Sequence, residues 1–320
     1  MKILITGGGG FLGFKLAKTL LARGRLGGKP ITGMTLLDGA FPPSVKDLKA
    51  KAVTGDISDK ATIASVCTPD TDAVFHLAAV VSGAAEADFD LGMRVNLQGT
   101  RGLLEQMRKC AKPPRVVYTS SVAAFGGELP PVLDDSTIAN PQTSYGMQKV
   151  VGEYLLTDYT RKGFLDGRSL RLPTIVVRAG KANAAASSFA SAVIREPLNG
   201  VDYDCPVAPE TDVWLLSPGR VVEAFIHAWE LPAEAWGTKR WLNLPGITAS
   251  VAQMVEAMRS VAGDKVAKRV NYKADERIRN IVKTWPVRFR TPRALEMGFK
   301  PDPDVRSVIR DYIADEKISI

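Results

Sequence analysis

Few residues of this chain suit a disulfide framework or a metal site. The 320 residues include three cysteines and two histidines: Cys67, Cys110, Cys205, His76 and His227. The cysteines are odd in number, scattered along the chain and form no C-x-x-C pair, which argues against a disulfide scaffold and a zinc ribbon. The two histidines are far apart in sequence. We therefore expect no bound metal.

Long apolar runs are also missing. No stretch of about 18 apolar residues is present that would span a membrane. The first residues, Met1–Gly7, lack the apolar core and cleavage site of a signal peptide. No low-complexity segment, internal repeat or nucleic-acid-binding motif is visible. We expect a cytoplasmic protein that binds neither membranes nor nucleic acid.

The composition is that of a globular protein. Apolar residues make up 45% of the chain and charged residues 24%, and the formal net charge is +8. A chain of this length can bury a substantial core without cross-links. The positive charge would suit an anionic partner, but the charged residues are dispersed, which favours a solvated basic surface.

Strand and helix patterns alternate through the first part of the chain. Apolar or β-branched runs predict strands, and apolar residues at helical spacing predict helices. The predicted strands are Lys2–Thr6, Ile31–Leu37, Ala73–Leu77, Arg115–Thr119 and Ser169–Val177, and the main helices are Phe11–Arg23, Met93–Ala111 and Ser144–Arg161. Such alternation predicts an α/β fold, a Rossmann doubly wound parallel sheet with helices on both faces.

The pattern loosens beyond about residue 180, where proline and glycine interrupt it. Helices are predicted at Val221–Leu231 and Ser250–Val261, with a strand at Trp241–Leu244. We predict a first domain over residues 1–177, with returning segments from about 213–245. Residues 178–320 are expected to form mainly a smaller C-terminal lobe that binds the substrate.

A glycine-rich loop joins the first strand to the first helix. Gly7, Gly10 and Gly13 form G-x-x-G-x-x-G, which permits a tight turn, a close approach to a pyrophosphate and close helix–sheet packing. The helix that follows offers free N–H groups, beginning at Phe11 and Leu12. Four consecutive glycines alone would also suit a flexible loop, but the position between a strand and a helix favours a dinucleotide site.

An acidic residue ends the second strand. Asp38 is placed to accept hydrogen bonds from the adenosine ribose hydroxyls. It follows the glycine loop at more than the usual spacing because Gly24–Pro30 lengthens the intervening loop. Gly39-Ala40-Phe41 follows, without an arginine to hold a 2′-phosphate, which favours NAD over NADP. The alternative is a turn aspartate before Gly39.

Tyr145 and Lys149 form a Y-x-x-x-K pair, which lies on one face of a helix. The free phenol has a pKa near 10. An ammonium about 4–5 Å away would stabilise the phenolate by roughly 3–4 kcal/mol at an effective dielectric near 20, and so lower that pKa. Tyr145 then serves as a general base. Ser121, where a strand ends in hydroxyls, would orient the reacting oxygen, although Ser120 and Ser121 also suit an ordinary turn.

Together these motifs resemble the extended short-chain dehydrogenase/reductase family, which includes nucleotide-sugar epimerases, dehydratases and related dehydrogenases. The resemblance covers essentially the whole chain. The matching segments are Thr6–Gly13, Gly55–Ile57, His76–Ala79, Asn96–Thr100, Thr119–Gly126, Tyr145–Lys149 and Leu170–Thr174.

The resemblance implies further site residues and a homodimer. It implies that Asp56 and Ile57 flank the adenine and that Asn96 supports the active-site architecture. It also places the catalytic hydroxyl at Ser121. The loop past the nicotinamide ribose would be Leu77, Ala78 and Ala79, and the residues beside the nicotinamide would be Pro173 and Thr174. The helices expected to form the dimer are Met93–Ala111 and Ser144–Arg161.

Two departures from the family bear on the substrate. Arg178-Ala179-Gly180 stands where the family often has Arg-Pro-Gly, and Asp275–Arg290 does not match the stretch that holds UDP or dTDP. Residues 178–191 are instead similar to dehydrogenases that oxidise a four-carbon sugar acid at C2 with NAD. A small anionic sugar acid requires a cation. The candidates for contacts with it are Arg178, Lys181, Arg195, Asn183, Ser187 and Ser82.

Three functions therefore compete. The first is NAD-dependent oxidation of a small sugar acid. The second is a nucleotide-sugar epimerase or dehydratase with tightly bound NAD, or a uronate dehydrogenase. The third is a non-catalytic NAD sensor, which would need no base. The set of Ser121, Tyr145 and Lys149 argues against the sensor.

Overall fold

The computed structural model describes residues 1–180 and 187–320, and the strands among them are short. They are β1 (Lys2–Thr6), β2 (Arg25–Leu26), β3 (Lys29–Pro30), β4 (Gly33–Asp38), β5 (Lys51–Thr54), β6 (Ala73–His76), β7 (Arg115–Ser121), β8 (Asp166–Leu172), β9 (Thr174–Ile175), β10 (Tyr203–Cys205), β11 (Asp212–Leu216), β12 (Trp241–Asn243), β13 (Ile247–Ser250) and β14 (Val270–Tyr272).

The α-helices range from single turns to the 18-residue helix of the Y-x-x-x-K motif. They are α1 (Phe11–Arg23), α2 (Lys60–Val66), α3 (Ser82–Ala87), α4 (Phe89–Gly92), α5 (Thr100–Met107), α6 (Ser144–Arg161), α7 (Ser188–Leu198), α8 (Pro218–Glu230), α9 (Ala233–Trp236), α10 (Val251–Ala262), α11 (Asp264–Ala267), α12 (Glu276–Val282), α13 (Pro292–Glu296) and α14 (Val305–Glu316). Within the described ranges, none is long and apolar enough to cross a membrane.

The chain divides into two compact units, each assembled from several segments. The first unit comprises Met1–Ala124, Pro141–Arg171 and Val222–Leu242. The second comprises Phe125–Asn140, Leu172–Val221 and Asn243–Ile320.

A seven-stranded sheet with the order β12-β8-β7-β6-β1-β4-β5 confirms the predicted Rossmann fold. β1 pairs in parallel with β4 on one side and β6 on the other. The chain winds outward from β1 through β4 and β5, then returns to continue through β6 and β7. The order therefore reverses between β1 and β6, and open α/β sheets bind ligands at the carboxyl ends of such strands.

Apolar side chains on both sides of this sheet form the core of the first unit. Leu4, Val74 and Val116 come from neighbouring strands and are almost fully buried. Leu103 and Leu156, from α5 and α6, pack into the same cluster. Within the same strands, the neighbouring residues Ile5, Phe75 and Val117 point to the other face and are buried too. Burial on both faces explains why continuous apolar runs, not alternating ones, predicted the central strands.

A cluster of charged side chains, with Arg168 and Arg240 buried and Asp166 and Arg115 partly exposed, connects β8 to the returning segment Val222–Leu242. Asp166 pairs with Arg115 at 3.2 Å and with Arg168 at 2.7 Å, and its other oxygen pairs with Arg240. The Arg115 guanidinium also donates to the main-chain oxygen of Trp229 at 2.9 Å. The returning segment is therefore an integral part of the first unit.

The second unit has a core of its own. Strands β13, β11 and β9 form one sheet, and β10 pairs with β14. Apolar residues of α7, α10 and α14 surround them, among them Val193, Met254 and Ile309.

Several predicted elements differ from those observed. The run Ser169–Val177, predicted as one strand, is divided between β8 and β9, which lie in different sheets. Pro173 separates them, and it has no N–H to continue a ladder. The predicted helix Met93–Ala111 begins as a π-helical segment over Met93–Gly99 and continues as α5. The loop Gly24–Pro30 contains the small β2–β3 hairpin.

Candidate active site

The glycine loop and the loop after β6 are in contact at the carboxyl edge of the sheet. Gly7 has a φ of +74°, and a Cβ on it would lie 2.7 Å from the main-chain nitrogen of Ala78. A Cβ on Gly13 would lie 2.0 Å from the main-chain oxygen of Gly7. Both positions therefore exclude any side chain, and both loops come together where the strand order reverses.

Gly10 comes directly before the first turn of α1. It is the N-cap of α1 without a side-chain cap, and the first turn of α1 contains no acidic residue. A Cβ on Gly10 would lie 3.2 Å from the main-chain oxygen of Gly7, closer than an ordinary contact, so this position also favours glycine. The N–H groups of Phe11 and Leu12 begin the helix beside it, so the loop fits the negative charge of a pyrophosphate.

Asp38 lies against the same loop. One carboxylate oxygen accepts hydrogen bonds from the main-chain nitrogens of Gly9 at 3.0 Å and Gly10 at 3.1 Å. The other accepts from the nitrogen of Ala40 at 3.3 Å. A Cβ on Gly9 would lie 2.1 Å from the oxygen of Ala40, so Gly9 is a further required glycine, although the motif spacing did not select it.

The residues expected around the adenine differ in exposure. Asp56 is exposed, and one carboxylate oxygen accepts from the main-chain nitrogen and hydroxyl of Ser58, both at 2.7 Å. Ile57 is buried, and its side chain lies 3.0 Å from the point where a Cβ on Gly99 would stand. Leu77, Ala78 and Ala79 are half-buried in the loop after β6.

His76 is a structural residue of this edge. The Thr100 hydroxyl donates to the main-chain oxygen of Asn96 at 2.6 Å, so the Nε2–H of His76 donates to Thr100 at 2.8 Å. The Nδ1 atom is then the acceptor for the Thr6 hydroxyl at 2.6 Å. Burial, followed by the charge of Lys149, lowers the pKa of His76 to about 3. The imidazole is therefore neutral.

Asn96 connects the β6 loop to the catalytic helix. Its side-chain oxygen accepts from the nitrogen of Val80 at 2.8 Å, and its amide donates to the oxygen of Val80 at 3.1 Å. The same amide donates to the Gln148 side chain at 2.8 Å. Asn96 and Gln148 are both buried. This arrangement is that of a residue that supports the architecture of the site.

Gly146 brings α6 against the end of β7. Thr143 caps the helix by accepting from the Gly146 nitrogen at 3.1 Å. A Cβ on Gly146 would lie 2.1 Å from the main-chain oxygen of Ala123 and 3.0 Å from the Pro141 side chain. The absence of a side chain therefore allows the first turn of α6 to approach the segment that follows Ser121.

Ser121, Tyr145 and Lys149 are brought together at this point. The Ser121 hydroxyl lies close enough to the Tyr145 phenol to lower its pKa, and it accepts a hydrogen bond from the Ala123 nitrogen at 3.1 Å. The Lys149 ammonium lies 5.6 Å from the centre of the Tyr145 ring and 4.9 Å from that of Tyr118. The three predicted side chains therefore share one site at the carboxyl edge of the sheet.

The pKa of Tyr145 differs in direction from the sequence-based expectation. Burial raises the pKa of the phenol to about 12, and the hydrogen bond with Ser121 offsets only part of this rise. Burial also lowers the pKa of Lys149 to about 7, against the opposing effect of Glu153. The expectation counted the attraction between phenolate and ammonium, but it omitted the cost of removing both groups from water.

Sequence reasoning missed a buried ion pair next to this site. Glu153 and Arg171 are joined by two hydrogen bonds of 2.8 and 2.7 Å, and the Ser120 hydroxyl donates to the same carboxylate. Both charged side chains are only 2% exposed. Glu153 follows Lys149 by four residues on α6, a helical spacing that could have revealed it.

The second unit contains most of the residues expected to contact substrate. Pro173 is buried just before β9, and Thr174 pairs with Leu215 in that sheet. Within the described ranges, the half-buried Arg178 guanidinium has no hydrogen-bond or ion-pair partner. Burial and then the charge of Arg195 lower its pKa.

The Arg195 guanidinium already has hydrogen-bond partners within the protein. Its guanidinium contacts the Glu196 carboxylate at 2.9 Å and 2.5 Å and donates to the main-chain oxygen of Arg178 at 2.9 Å. Asn183 and Lys181 lie outside the described residues. Ser187 precedes α7, and Ser82 is the first residue of α3 in the first unit.

Across residues 1–180 and 187–320, no group of three or more histidine, cysteine or acidic side chains could hold a metal ion.

Comparison with known proteins identifies the class. The model of the NAD dependent epimerase/dehydratase family matches residues 3–231, and the chain therefore belongs to that family. This confirms the resemblance predicted from the motifs and the prediction of a nicotinamide-dependent enzyme.

The chain is also similar to particular members. It is 56% identical over 319 residues to a D-erythronate dehydrogenase of Cupriavidus necator, covering 98% of each chain. It is 44% identical over 314 residues to a D-erythronate dehydrogenase of Haemophilus influenzae, covering 98% of this chain and 99% of the relative. These matches confirm the predicted likeness to dehydrogenases of a four-carbon sugar acid.

A solved structure is similar as well. It is that of a nucleoside-diphosphate-sugar epimerase from Agrobacterium tumefaciens, with a TM-score of 0.94 and 40% identity, covering 99% of this chain and 94% of the other.

Proposed function

We propose that this protein oxidises D-erythronate, or a close four-carbon aldonate, to the 2-keto acid with NAD. The observation that carries the proposal is the meeting of Ser121, Tyr145 and Lys149 at the carboxyl edge of the sheet. The near-complete coverage of two D-erythronate dehydrogenases supports the choice of substrate. We place the reaction in the cytoplasm, and we infer a homodimer through the segments Met93–Ala111 and Ser144–Arg161.

The residues divide the chemistry between them. When bound, the oxidised nicotinamide supplies a hydride acceptor and a positive charge. Ser121 hydrogen-bonds to the C2 hydroxyl of the acid and orients it. Tyr145 takes the hydroxyl proton as the C2 hydrogen leaves with its electron pair. Lys149, in its charged form, holds the ribose hydroxyls and favours the phenolate.

The first unit provides most of the cofactor contacts in this proposal. The glycine loop at Gly10 and the start of α1 fit the pyrophosphate, and Pro173 is assigned to the nicotinamide. The other cofactor contacts are Gly7, Phe11, Leu12, Gly13, Asp38, Asp56, Ile57, Leu77, Ala78, Ala79 and Asn96.

Cofactor choice is predicted to depend on the charge of Asp38. The carboxylate repels a 2′-phosphate and binds a free ribose diol, so we expect kcat/KM with NAD to exceed that with NADP by far. Asp38→Ala should narrow this gap. Asp38 also accepts hydrogen bonds from the main-chain nitrogens of Gly9 and Gly10. The matched control is therefore Asp38→Asn, because the asparagine side-chain oxygen keeps those hydrogen bonds but carries no charge. Equal kcat/KM for both cofactors in the unmutated protein would exclude this role.

Arg178 is the cation that we assign to the substrate carboxylate. It is half-buried, lies beside the charge of Arg195 and has no partner among the described residues. An anion would relieve that repulsion. Arg195, by contrast, already contacts Glu196. Ser82 is a further candidate for the carboxylate, and Asn183 or Ser187 for the substrate hydroxyls. Thr174 is assigned to the substrate beside the nicotinamide.

Arg178→Gln should raise KM for the sugar acid by about 10- to 100-fold, because a hydrogen bond to a charged group contributes about 1.5–3 kcal/mol. KM for NAD should stay within about twofold. The matched control is Arg277→Gln, which removes an exposed arginine of the same unit. Steady-state kinetics with each substrate varied in turn measures both constants. An unchanged KM for the acid would exclude Arg178 from the carboxylate site.

The proposed activity is tested by following NADH formation with a panel of substrates. The panel contains D-erythronate, threonate, glucuronate and UDP-sugars. We expect the highest kcat/KM with D-erythronate. A clear preference for glucuronate would make the protein a uronate dehydrogenase. Turnover of a UDP-sugar without net NADH would make it an epimerase, the activity for which the similar Agrobacterium protein is named.

A further inference from the structure

Three chemically important side chains follow one another along a single face of α6. Tyr145, Lys149 and Glu153 are spaced four residues apart, which places each one helical turn from the next. Lys149 and Glu153 are 2% and 1% exposed. A carboxylate therefore accompanies the buried ammonium on the side opposite the phenol.

The Glu153 carboxylate is fixed in place by other elements. Arg171, on β8, donates to both of its oxygens, and Ser120, on β7, donates to one of them. The Arg171 guanidinium also lies 3.8 Å from the centre of the Trp241 ring. A buried ion pair such as this is weak evidence for a role in stability, because well-packed apolar residues in its place often stabilise the folded state equally well. Its position beside Lys149 suggests another role.

The groups that face Lys149 are otherwise poor at stabilising its charge. Tyr145 and Tyr118 present aromatic rings at 5.6 and 4.9 Å. His76 is neutral, because burial lowers its pKa to about 3. Arg171, beyond Glu153, is itself positive. Among these groups Glu153 is the one with a negative charge, and its charge raises the pKa of Lys149 against the effect of burial.

We propose that Glu153 is a positioning residue that keeps the Lys149 ammonium charged, with Arg171 and Ser120 holding its carboxylate in place. The proposal rests on the function proposed above for Lys149. A neutral amine cannot favour the phenolate of Tyr145, so loss of the carboxylate removes the charge that base catalysis requires. Glu153 itself does not touch the reacting atoms.

The test is the pKa of Lys149, read from the lysine ¹³Cε and ¹Hε shifts of the labelled protein between pH 5 and 11. The Lys149 signal is assigned by its absence in Lys149→Met. Glu153→Gln should lower the pKa of Lys149 by about 1 pH unit or more. An opposite charge within about 4–6 Å shifts a pKa by about 1–3 units, and residues four apart on a helix are neighbours on its surface. Loosening of the fold would instead solvate Lys149 and raise its pKa.

Two further variants complete the design. Asp158→Asn removes the same charge from the same helix, but from an exposed pair with Arg161, and should leave the pKa of Lys149 unchanged. Glu153→Gln combined with Arg171→Met removes both buried charges. This double variant should lower the pKa of Lys149 less than Glu153→Gln does. It provides the measurement if the single variant does not fold.

A Lys149 pKa that is unchanged or raised in both Glu153 variants would overturn the proposal. This measurement needs no substrate, so it stands even if D-erythronate is not oxidised. Conversely, oxidation of D-erythronate together with an unchanged Lys149 pKa would refute only the role of Glu153. With a substrate in hand, the pH at which kcat/KM stops rising should be lower in Glu153→Gln, which a merely structural role would not produce.

Discussion

Replacing Tyr145 with phenylalanine is expected to lower kcat by about 10²–10⁴-fold, because the variant loses the atom that takes the proton. Phenylalanine keeps the ring and its packing 5.6 Å from the Lys149 ammonium. Binding of NAD, measured by calorimetry, should therefore stay within a few-fold of the unmutated protein. The loss should appear in kcat and not in KM for NAD.

The matched control for this experiment lies on the same helix. Tyr154 is 66% exposed, and Tyr154→Phe should leave kcat unchanged. Activity of Tyr145→Phe within about threefold of the unmutated enzyme would require a different base. Burial raises the pKa of Tyr145 to about 12 and lowers that of Lys149 to about 7. We therefore also expect kcat/KM of the unmutated enzyme to rise with pH only up to about 7, because above that pH each gain in phenolate is offset by loss of the Lys149 charge.

Replacing Gly146 with alanine is the second change expected to have a large effect. The new Cβ would lie 2.1 Å from the oxygen of Ala123, a main-chain atom that cannot rotate away. The first turn of α6 must then move away from β7, and Tyr145 moves with it. A displacement of about 1 Å can cost about 10²-fold in rate, so kcat should fall by at least that factor.

Gly102 provides the comparison for this prediction. It also lies in a helix, but a Cβ there would meet only the flexible tip of the Ile63 side chain at 2.9 Å. Gly102→Ala should keep full activity and gain up to about 1 kcal/mol in the free energy of unfolding. Thermal unfolding and kcat are measured for both variants. A fully active Gly146→Ala would show that the close approach of α6 to Ala123 is unimportant for catalysis.

The helices and strands nearest the site were predicted well because their signals are local. The strand–glycine loop–helix at the start of the chain and the long helix of Tyr145 have the predicted bounds. Hydrophobic runs and helix spacing depend on near neighbours in sequence. The edge strand β5 escaped detection because three of its four residues are exposed and carry no apolar pattern.

The missing parts of the site depend on distant contacts. Arg171 became a site residue only because β8 lies beside α6, which no local pattern reveals. Glycine is required at position 9 because the main-chain oxygen of Ala40, which is distant in sequence, lies against it. The pKa of Tyr145 was misjudged for a related reason, since burial is a property of the fold and not of the Y-x-x-x-K spacing.

The interleaving of the two units has a consequence for biosynthesis. Many proteins of this size can fold their first domain while the remainder is still being translated. In this chain one late segment supplies two parts of the first unit: the edge strand β12, and Arg240, which pairs with Asp166. That segment follows much of the second unit in sequence. The seven-stranded sheet therefore stays incomplete until residue 242 has left the ribosome. The first unit becomes complete only late in translation.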